Sequence, residues 1–267
     1  MPLSSPLRTY SRRGKMLGPT SSSVSSSPSR SSPRKPVSQN PIFSHPEQLV
    51  TFLIGKGENA KPFPLHKDFV CVHSPVFNRA FNGRWVEATT HTYKLEETTL
   101  ETFHLYALWL YTKTLDGHGA LVETDSAELE ELEDLPEDVA TQFRENQLRL
   151  IELWCFADKY AMPKLQNVAM THFARILNAD PLMREEVIEY VYSTTAPGSQ
   201  MQKYVMEAAT ISATKFAKEG DAEMIGGVTA LVKSFPVDLI PQFVAALAIK
   251  ITRAQGPVKI REYFVEE

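Results

Sequence analysis

Phe63-Pro64-Leu65-His66-Lys67-Asp68-Phe69-Val70-Cys71-Val72-His73-Ser74-Pro75-Val76-Phe77-Asn78-Arg79-Ala80-Phe81 sets two structural habits side by side. Phe63 to Leu65 reads as a short strand, and Asp68 to Val72 as a small helical run. Ser74 stands directly ahead of Pro75, an arrangement that opens a helix. The hydroxyl accepts from a free first-turn amide, and the N–H that proline lacks has no partner there anyway.

Working outward, Val50-Thr51-Phe52-Leu53-Ile54 is rich in β-branched and aromatic residues and is closed by Gly55-Lys56-Gly57-Glu58-Asn59, a strand followed by a turn. Gly55-Lys56-Gly57 lacks the Gly-Lys-Ser/Thr ending of a phosphate-binding loop, so its glycines are read as turn residues. Downstream stand Glu87 and a third strand, Thr92 to Leu95. In Thr99 to Tyr111 the residues Leu100, Phe103, Ala107 and Leu110 recur at helical spacing, a stripe that faces a core, with Thr98 or Thr99 as its cap.

Between Asp116 and Gln142 the pattern breaks. Glu123, Asp125, Glu128, Glu130, Glu131, Glu133, Asp134, Glu137 and Asp138 follow one another with no Lys or Arg between them, which favours a solvated loop or a frayed helix. Order resumes at Gln147 to Tyr160, and Pro163 starts a further helix carrying Leu165, Val168, Ala169 and Phe173. Beyond Pro181 the spacing predicts helices only: Arg184 to Tyr192, Met201 to Phe216 and Leu239 to Thr252.

Residues 1–44 are of another composition. Ser, Pro and Arg dominate, no Asp or Glu occurs before Glu47, and no apolar period is present, so a disordered tail is expected. Its charge comes from Arg8, Arg12, Arg13, Lys15, Arg30, Arg34 and Lys35, so the net charge of -4 conceals a basic tail on an acidic body. No apolar run approaches the roughly 18 to 20 residues that span a bilayer, and the first residues hold no apolar core of the kind a secretory signal needs. Cys71 and Cys155, the two cysteines, both lie in apolar runs. Buried free thiols in a reducing, intracellular setting, nucleus or cytoplasm, are expected.

Three blocks in register carry a family resemblance. The first is Phe52-Leu53-Ile54-Gly55, Phe63, His66-Lys67, Phe69, Ser74-Pro75-Val76-Phe77, Ala80-Phe81 and Glu87. The second is Leu95-Glu96-Glu97, Phe103 and Trp109-Leu110-Tyr111-Thr112. The third is Leu153, Ala157-Asp158-Lys159-Tyr160 and Met162-Pro163-Lys164-Leu165-Gln166-Asn167, which looks like the closing helical hairpin of that family. Together they resemble the BTB/POZ domain, with wording similar to its fungal members. The resemblance implies an α+β fold, a small sheet packed with helices, over residues 45–178, with the acidic insertion at about 116–142 and an all-helical region at 179–267. Gly55, Phe63, His66, Lys67, Ser74, Phe77, Glu87 and Tyr111 are its motif residues.

What the resemblance implies about function is non-enzymatic: self-association, docking of protein partners, and in some members service as adaptors of cullin ubiquitin ligases. The candidate contact residues are then Phe77, Phe81 and the loop from Leu115 to Leu135. There Leu121-Val122-Glu123 and Leu129-Glu130-Glu131 both fit the hydrophobic-x-Glu pattern through which family adaptors touch the cullin. No kelch repeat, zinc finger, MATH domain or ankyrin array follows to recruit a substrate.

Catalytic and cofactor chemistry find little support. His66 is the tempting residue, but no base or nucleophile accompanies it, and local hydrogen bonding with Lys67 at a helix start is the simpler reading. His66, Cys71 and His73 match no zinc spacing, and the acidic run lacks the central glycine and alternating ligands of a calcium loop. No metal and no cofactor are expected, and Trp109, Tyr111, Trp154 and Phe156 read as core residues at helical spacing. In the tail, Ser5-Pro6-Leu7-Arg8, Ser27-Pro28-Ser29-Arg30 and Ser32-Pro33-Arg34-Lys35 each place a basic residue three after the serine. They resemble proline-directed kinase sites at Ser5, Ser27 and Ser32. Phosphates of about -1.5 to -2 charges each would cancel most of the tail's positive charge. The alternative function is a nuclear regulator whose tail touches nucleic acid while the body dimerises. Tyr10 and Phe43 are the tail's aromatic residues, and only Tyr10 falls among its basic ones, so nucleic acid is the less favoured partner.

Overall fold

The computed structural model describes residues 44–116, 137–179, 185–219, 228–229, 231–253 and 260–266, all within one compact unit, Gln39–Glu267. The expected disordered tail, the phosphorylation candidates Ser5, Ser27 and Ser32, and Leu121, Glu123, Leu129 and Glu131 lie outside the described residues.

Three strands form the sheet: β1 (Leu49–Ile54), β2 (Lys61–His66) and β3 (Thr92–Leu95). β1 is central, antiparallel to β2 with Phe52 opposite Phe63, and parallel to β3 with Ile54 opposite Leu95. Val50, Phe52 and Ile54 alternate inward along β1, the period of two that a half-buried strand requires. Gly55 at φ +99° and Gly57 at φ +61° let the chain turn back, as their place in the sequence predicts. β2 carries Pro62 and Pro64, tolerated because it is an edge strand.

Four helices follow the sheet's first hairpin: α1 (Lys67–His73), α2 (Pro75–Asn82), α3 (Val86–Thr90) and, after β3, α4 (Leu100–Thr112). The Ser74 Oγ accepts the Phe77 N–H at 3.1 Å and donates to the Tyr160 carbonyl at 2.7 Å, so one fully buried hydroxyl caps α2 and ties it to a turn 86 residues away. Thr99 caps α4 by accepting the Thr102 N–H at 3.2 Å. α3 is a five-residue helix that the β-branched run Val86-Glu87-Ala88-Thr89-Thr90 did not announce.

Next come α5 (Glu137–Lys159) and α6 (Pro163–Ala179), an antiparallel pair turned by Ala161 at φ +53°. α5 begins ten residues before the expected Gln147, so its start falls within the acidic stretch of the sequence. Asp116, where the chain leaves α4, is held to α6 by Arg175 at 3.0 Å and by His172 at 3.6 Å. The C-terminal region is helical as expected: α7 (Glu185–Thr194), α8 (Gln200–Glu219) and α9 (Ile240–Arg253). Lys250 on α9 meets Glu207 on α8 at 2.9 Å. The Asn167 carboxamide donates to the Val265 carbonyl at 3.1 Å and accepts its N–H at 2.9 Å.

One continuous apolar core runs from Val50 in β1 to Phe243 in α9. Its centre is aromatic. Phe52 packs edge-on to Phe77 and Phe81 at 5.1 and 5.8 Å, and Phe77 stacks on Tyr160 at 4.4 Å. No described helix is long and apolar enough to cross a membrane.

Candidate protein-interaction surface

The motif residues sort into buried supports and a surface row. Phe77 and Phe81, expected on an assembly surface, are core side chains with 0 % and 2 % of their area exposed. Their spacing explains it: Phe77, Ala80 and Phe81 fall at i, i+3 and i+4 of α2, a single stripe that faces the sheet. They shape the floor beneath any assembly surface and do not form part of it in the single chain. Phe63 is half-buried against Phe103 at 5.0 Å. Glu87 lies in the first turn of α3. Its charge adds to burial in raising the Tyr93 hydroxyl's pKa.

His66 departs from the expectation of local bonding. It occupies the position before α1, yet its side chain makes no cap there. Instead its Nδ1 meets the Tyr111 hydroxyl at 2.8 Å, while its backbone N–H donates to the same oxygen at 3.2 Å. The end of β2 is thereby fixed to the end of α4. Neighbouring Lys67 anchors through its backbone, donating to the Gln48 carbonyl at 3.0 Å. Asp68 accepts the N–H groups of Ser44 and His45, which holds the incoming chain.

Around this joint an apolar row reaches solvent. Leu49 pairs across the strands with His66, Phe69 packs on Tyr111 at 5.2 Å, and Val72 lies one turn further along α1. Leu49, Val72 and Tyr111 are 45 %, 50 % and 42 % exposed. Trp85 and Val86, at the start of α3, are exposed as well. The row continues to Lys113, the left-handed residue that ends α4 at φ +64°. Its ammonium lies 5.8 Å from the Phe69 ring and 5.2 Å from the Trp109 ring and donates to the Leu110 carbonyl. Burial and the nearby Lys164 charge bring its pKa down to about 8.

Among the described residues, clefts open on this body at two places considered in turn. The larger, of about 280 Å³, is lined by Thr99, Thr102, Glu152, Cys155, Lys159 and Tyr190. Glu152 accepts from the hydroxyls of Thr102 at 2.5 Å, Thr99 at 2.9 Å and Tyr190 at 3.1 Å, and so clasps the start of α4 to α7. Burial pushes the Cys155 thiol up to about 11, which favours the protonated thiol at neutral pH. Cys71, also free and part-buried, is raised for the same reason. Among the described residues no three His, Cys, Asp or Glu side chains converge as metal ligands, and His66, Cys71 and His73 form no such group. The second cleft lies past Val72, between α1, the end of α4 and the α5–α6 turn.

A small sheet roofed by short helices thus carries an exposed apolar row and, at Glu152, a cleft satisfied by hydroxyls. Residues 44–133 match the family model of the BTB/POZ domain. BTB domains mediate protein–protein interaction, and the row from Leu49 to Val72 lies within the matched stretch. α5 and α6, expected as the closing hairpin of the domain, stand beyond the match but share its core. Among curated proteins the comparison finds no match.

The sequence pointed to His66, Lys67, Ser74 and Tyr111 as motif residues, and the structure brings His66 and Tyr111 together. It did not single out Leu49, Val72, Lys113 or Lys164 as surface residues. The one available signal was Val72, an apolar residue on the face of α1 opposite buried Val70.

Proposed function

We propose that this chain is a BTB-type interaction protein of the fungal kind, in the nucleus or cytoplasm, that self-associates and docks partners without chemistry of its own. The observation that carries the reading is the exposed apolar row Leu49–Tyr111–Val72 on a BTB domain whose other large apolar side chains are mostly buried. Pro62 and Pro64 supply no N–H along the outer edge of β2, so association by helix faces is favoured over sheet extension.

A cullin ubiquitin-ligase scaffold is the proposed partner, with Leu121-Val122-Glu123 or Leu129-Glu130-Glu131 as the hydrophobic-x-Glu contact. The test is light scattering of the purified chain combined with affinity recovery from lysate. Dimerisation, or recovery of a cullin that is lost on deleting residues 119–136, supports the reading. A monomer that recovers no partner overturns it, and dimerisation unchanged by Leu49→Lys with Val72→Lys removes the apolar row as its basis.

The basic tail favours a second reading, contact with nucleic acid regulated by phosphorylation at Ser5, Ser27 or Ser32. Binding that falls steeply with salt and vanishes without residues 1–44 would support it.

A further inference from the structure

The segment from Ile260 to Val265 rests on α6 and α8, apart from the apolar row described above. Ile260–Tyr263 forms a 3-10 turn, and Ile260, Tyr263 and Phe264 pack as partly buried side chains against the core. Tyr263 meets the Tyr204 ring edge-on at 5.4 Å, and Tyr204 in turn meets Phe173 at 6.0 Å. Asn167 closes the arrangement, donating to the Val265 carbonyl and accepting the Val265 N–H.

Seat and segment differ in how deeply they are set. Asn167 and Tyr204 are 7 % and 3 % exposed and stand on two long helices. Ile260, Tyr263, Phe264 and Val265 are only half-buried, and Arg261 is exposed. The seat is therefore part of the body, and the segment lies on it. The bonds from Asn167 go to main-chain groups and read no side chain, so selection falls to the Tyr204 ring, which favours an aromatic residue. Were the segment to lift, a carboxamide more than nine-tenths buried would lose two bonds, and that cost disfavours an empty seat. Release is thereby coupled to replacement, and the replacement whose fit is already displayed is the same segment of another chain.

We infer that the seat on α6 and α8 is a binding site for the segment Ile260–Val265 of a second copy of this chain. Asn167 receives the main chain of Val265 from that copy, and Tyr204 receives its Tyr263, as they receive the resident ones. Exchange in both directions retains every bond in a symmetric pair, so concentration sets the balance between resident and exchanged segments. The inference goes beyond the interaction reading above and uses none of Leu49, Val72 and Tyr111.

The probe is a fluorescein-labelled peptide of residues 260–267, with a counterpart methylated at the Val265 nitrogen. Anisotropy is read with the wild-type full chain and with Val265→Pro, whose resident segment lacks the N–H that Asn167 accepts. A weaker resident competes less, so Val265→Pro is expected to hold the probe about tenfold more tightly than the wild type. The methylated probe should bind either chain about tenfold more weakly. Displacement then reports the second copy. Unlabelled Asn167→Ala chain, its segment intact and its seat spoiled, should release the probe from Val265→Pro. The double variant, Asn167→Ala with Val265→Pro, should not. Circular dichroism checks the fold of each variant.

Equal affinity of the two probes for the wild-type chain would overturn the inference without recourse to any variant. So would equal hold on the probe by the wild type and Val265→Pro. Release by free peptide but not by the Asn167→Ala chain would overturn it as well, since the seat would then serve a peptide of another protein. None of these outcomes touches association through the apolar row, which both competitor chains retain.

Discussion

Ser74 shows how much one small side chain can organise. Its hydroxyl is at once acceptor from Phe77 and donor to the Tyr160 carbonyl, and it is fully buried. Ser74→Ala removes a helix cap and leaves a carbonyl without its partner. A loss of about 2–4 kcal/mol is expected, read as a lower urea midpoint with an unchanged slope. His73 gives a pH signature. Its folded pKa of about 4 lies below the ordinary 6.5, through burial and the charges of Lys113 and Lys164. As pH falls below 6.5 the unfolded chain takes up the proton first, so stability drops between pH 6.5 and 4 and levels off below. Urea midpoints at pH 7, 5.5 and 4.5 should fall, and less so in His73→Phe. The cap at Ser74 was legible because Ser-Pro has a fixed meaning at a helix start. The pairing of His66 with Tyr111 was not, because a contact spanning 45 residues leaves no local trace.

At the level of elements, the clearest device is the clasp at Glu152. Its carboxylate gathers hydroxyls from Thr99, Thr102 and Tyr190, and so joins the BTB-matched α4 to α7 of the C-terminal region across α5. It also faces the N-terminal end of α4, where negative charge is favoured. Glu152→Ala is expected to cost about 1–3 kcal/mol. Glu152→Gln, which keeps an acceptor in place, should cost less, and urea denaturation of the two variants separates the cases. The strands, α1, α2 and α4 were readable from period and capping residues, while α3 and the first turns of α5 were not. Val, Thr and Thr in α3 favour strand by propensity, and contact with β3 overrides it. The acidic residues at the start of α5 read as either a solvated loop or a frayed helix, because like charges in a row oppose a helix that a first turn can nevertheless accommodate.

At the largest scale, one apolar cluster runs through the described residues of the unit Gln39–Glu267. Val187, Ile188, Val205 and Phe243 are fully buried in the cluster that also holds Phe52 and Phe103. The boundary at residue 178 that the family resemblance suggested would therefore cut through packed surface. A fragment ending at 178 is expected to expose the faces that α7 and α8 cover, and to aggregate or melt well below the full chain. Differential scanning calorimetry of both should also show a single transition for the full chain. The sequence signalled helices in this region but not their docking, because an amphipathic stripe states that a face is buried without stating against what.

The double hydrogen bond between Asn167 and Val265 carries a further consequence. Chain ends usually fray first, and their amides exchange with solvent within the shortest times. Here a side chain acts as a short strand partner, and the Val265 N–H is released only when that pairing opens from α6. Loosening of the closing hairpin would therefore free the last turn of the chain at the same moment, and deuterium uptake at the two places would rise together.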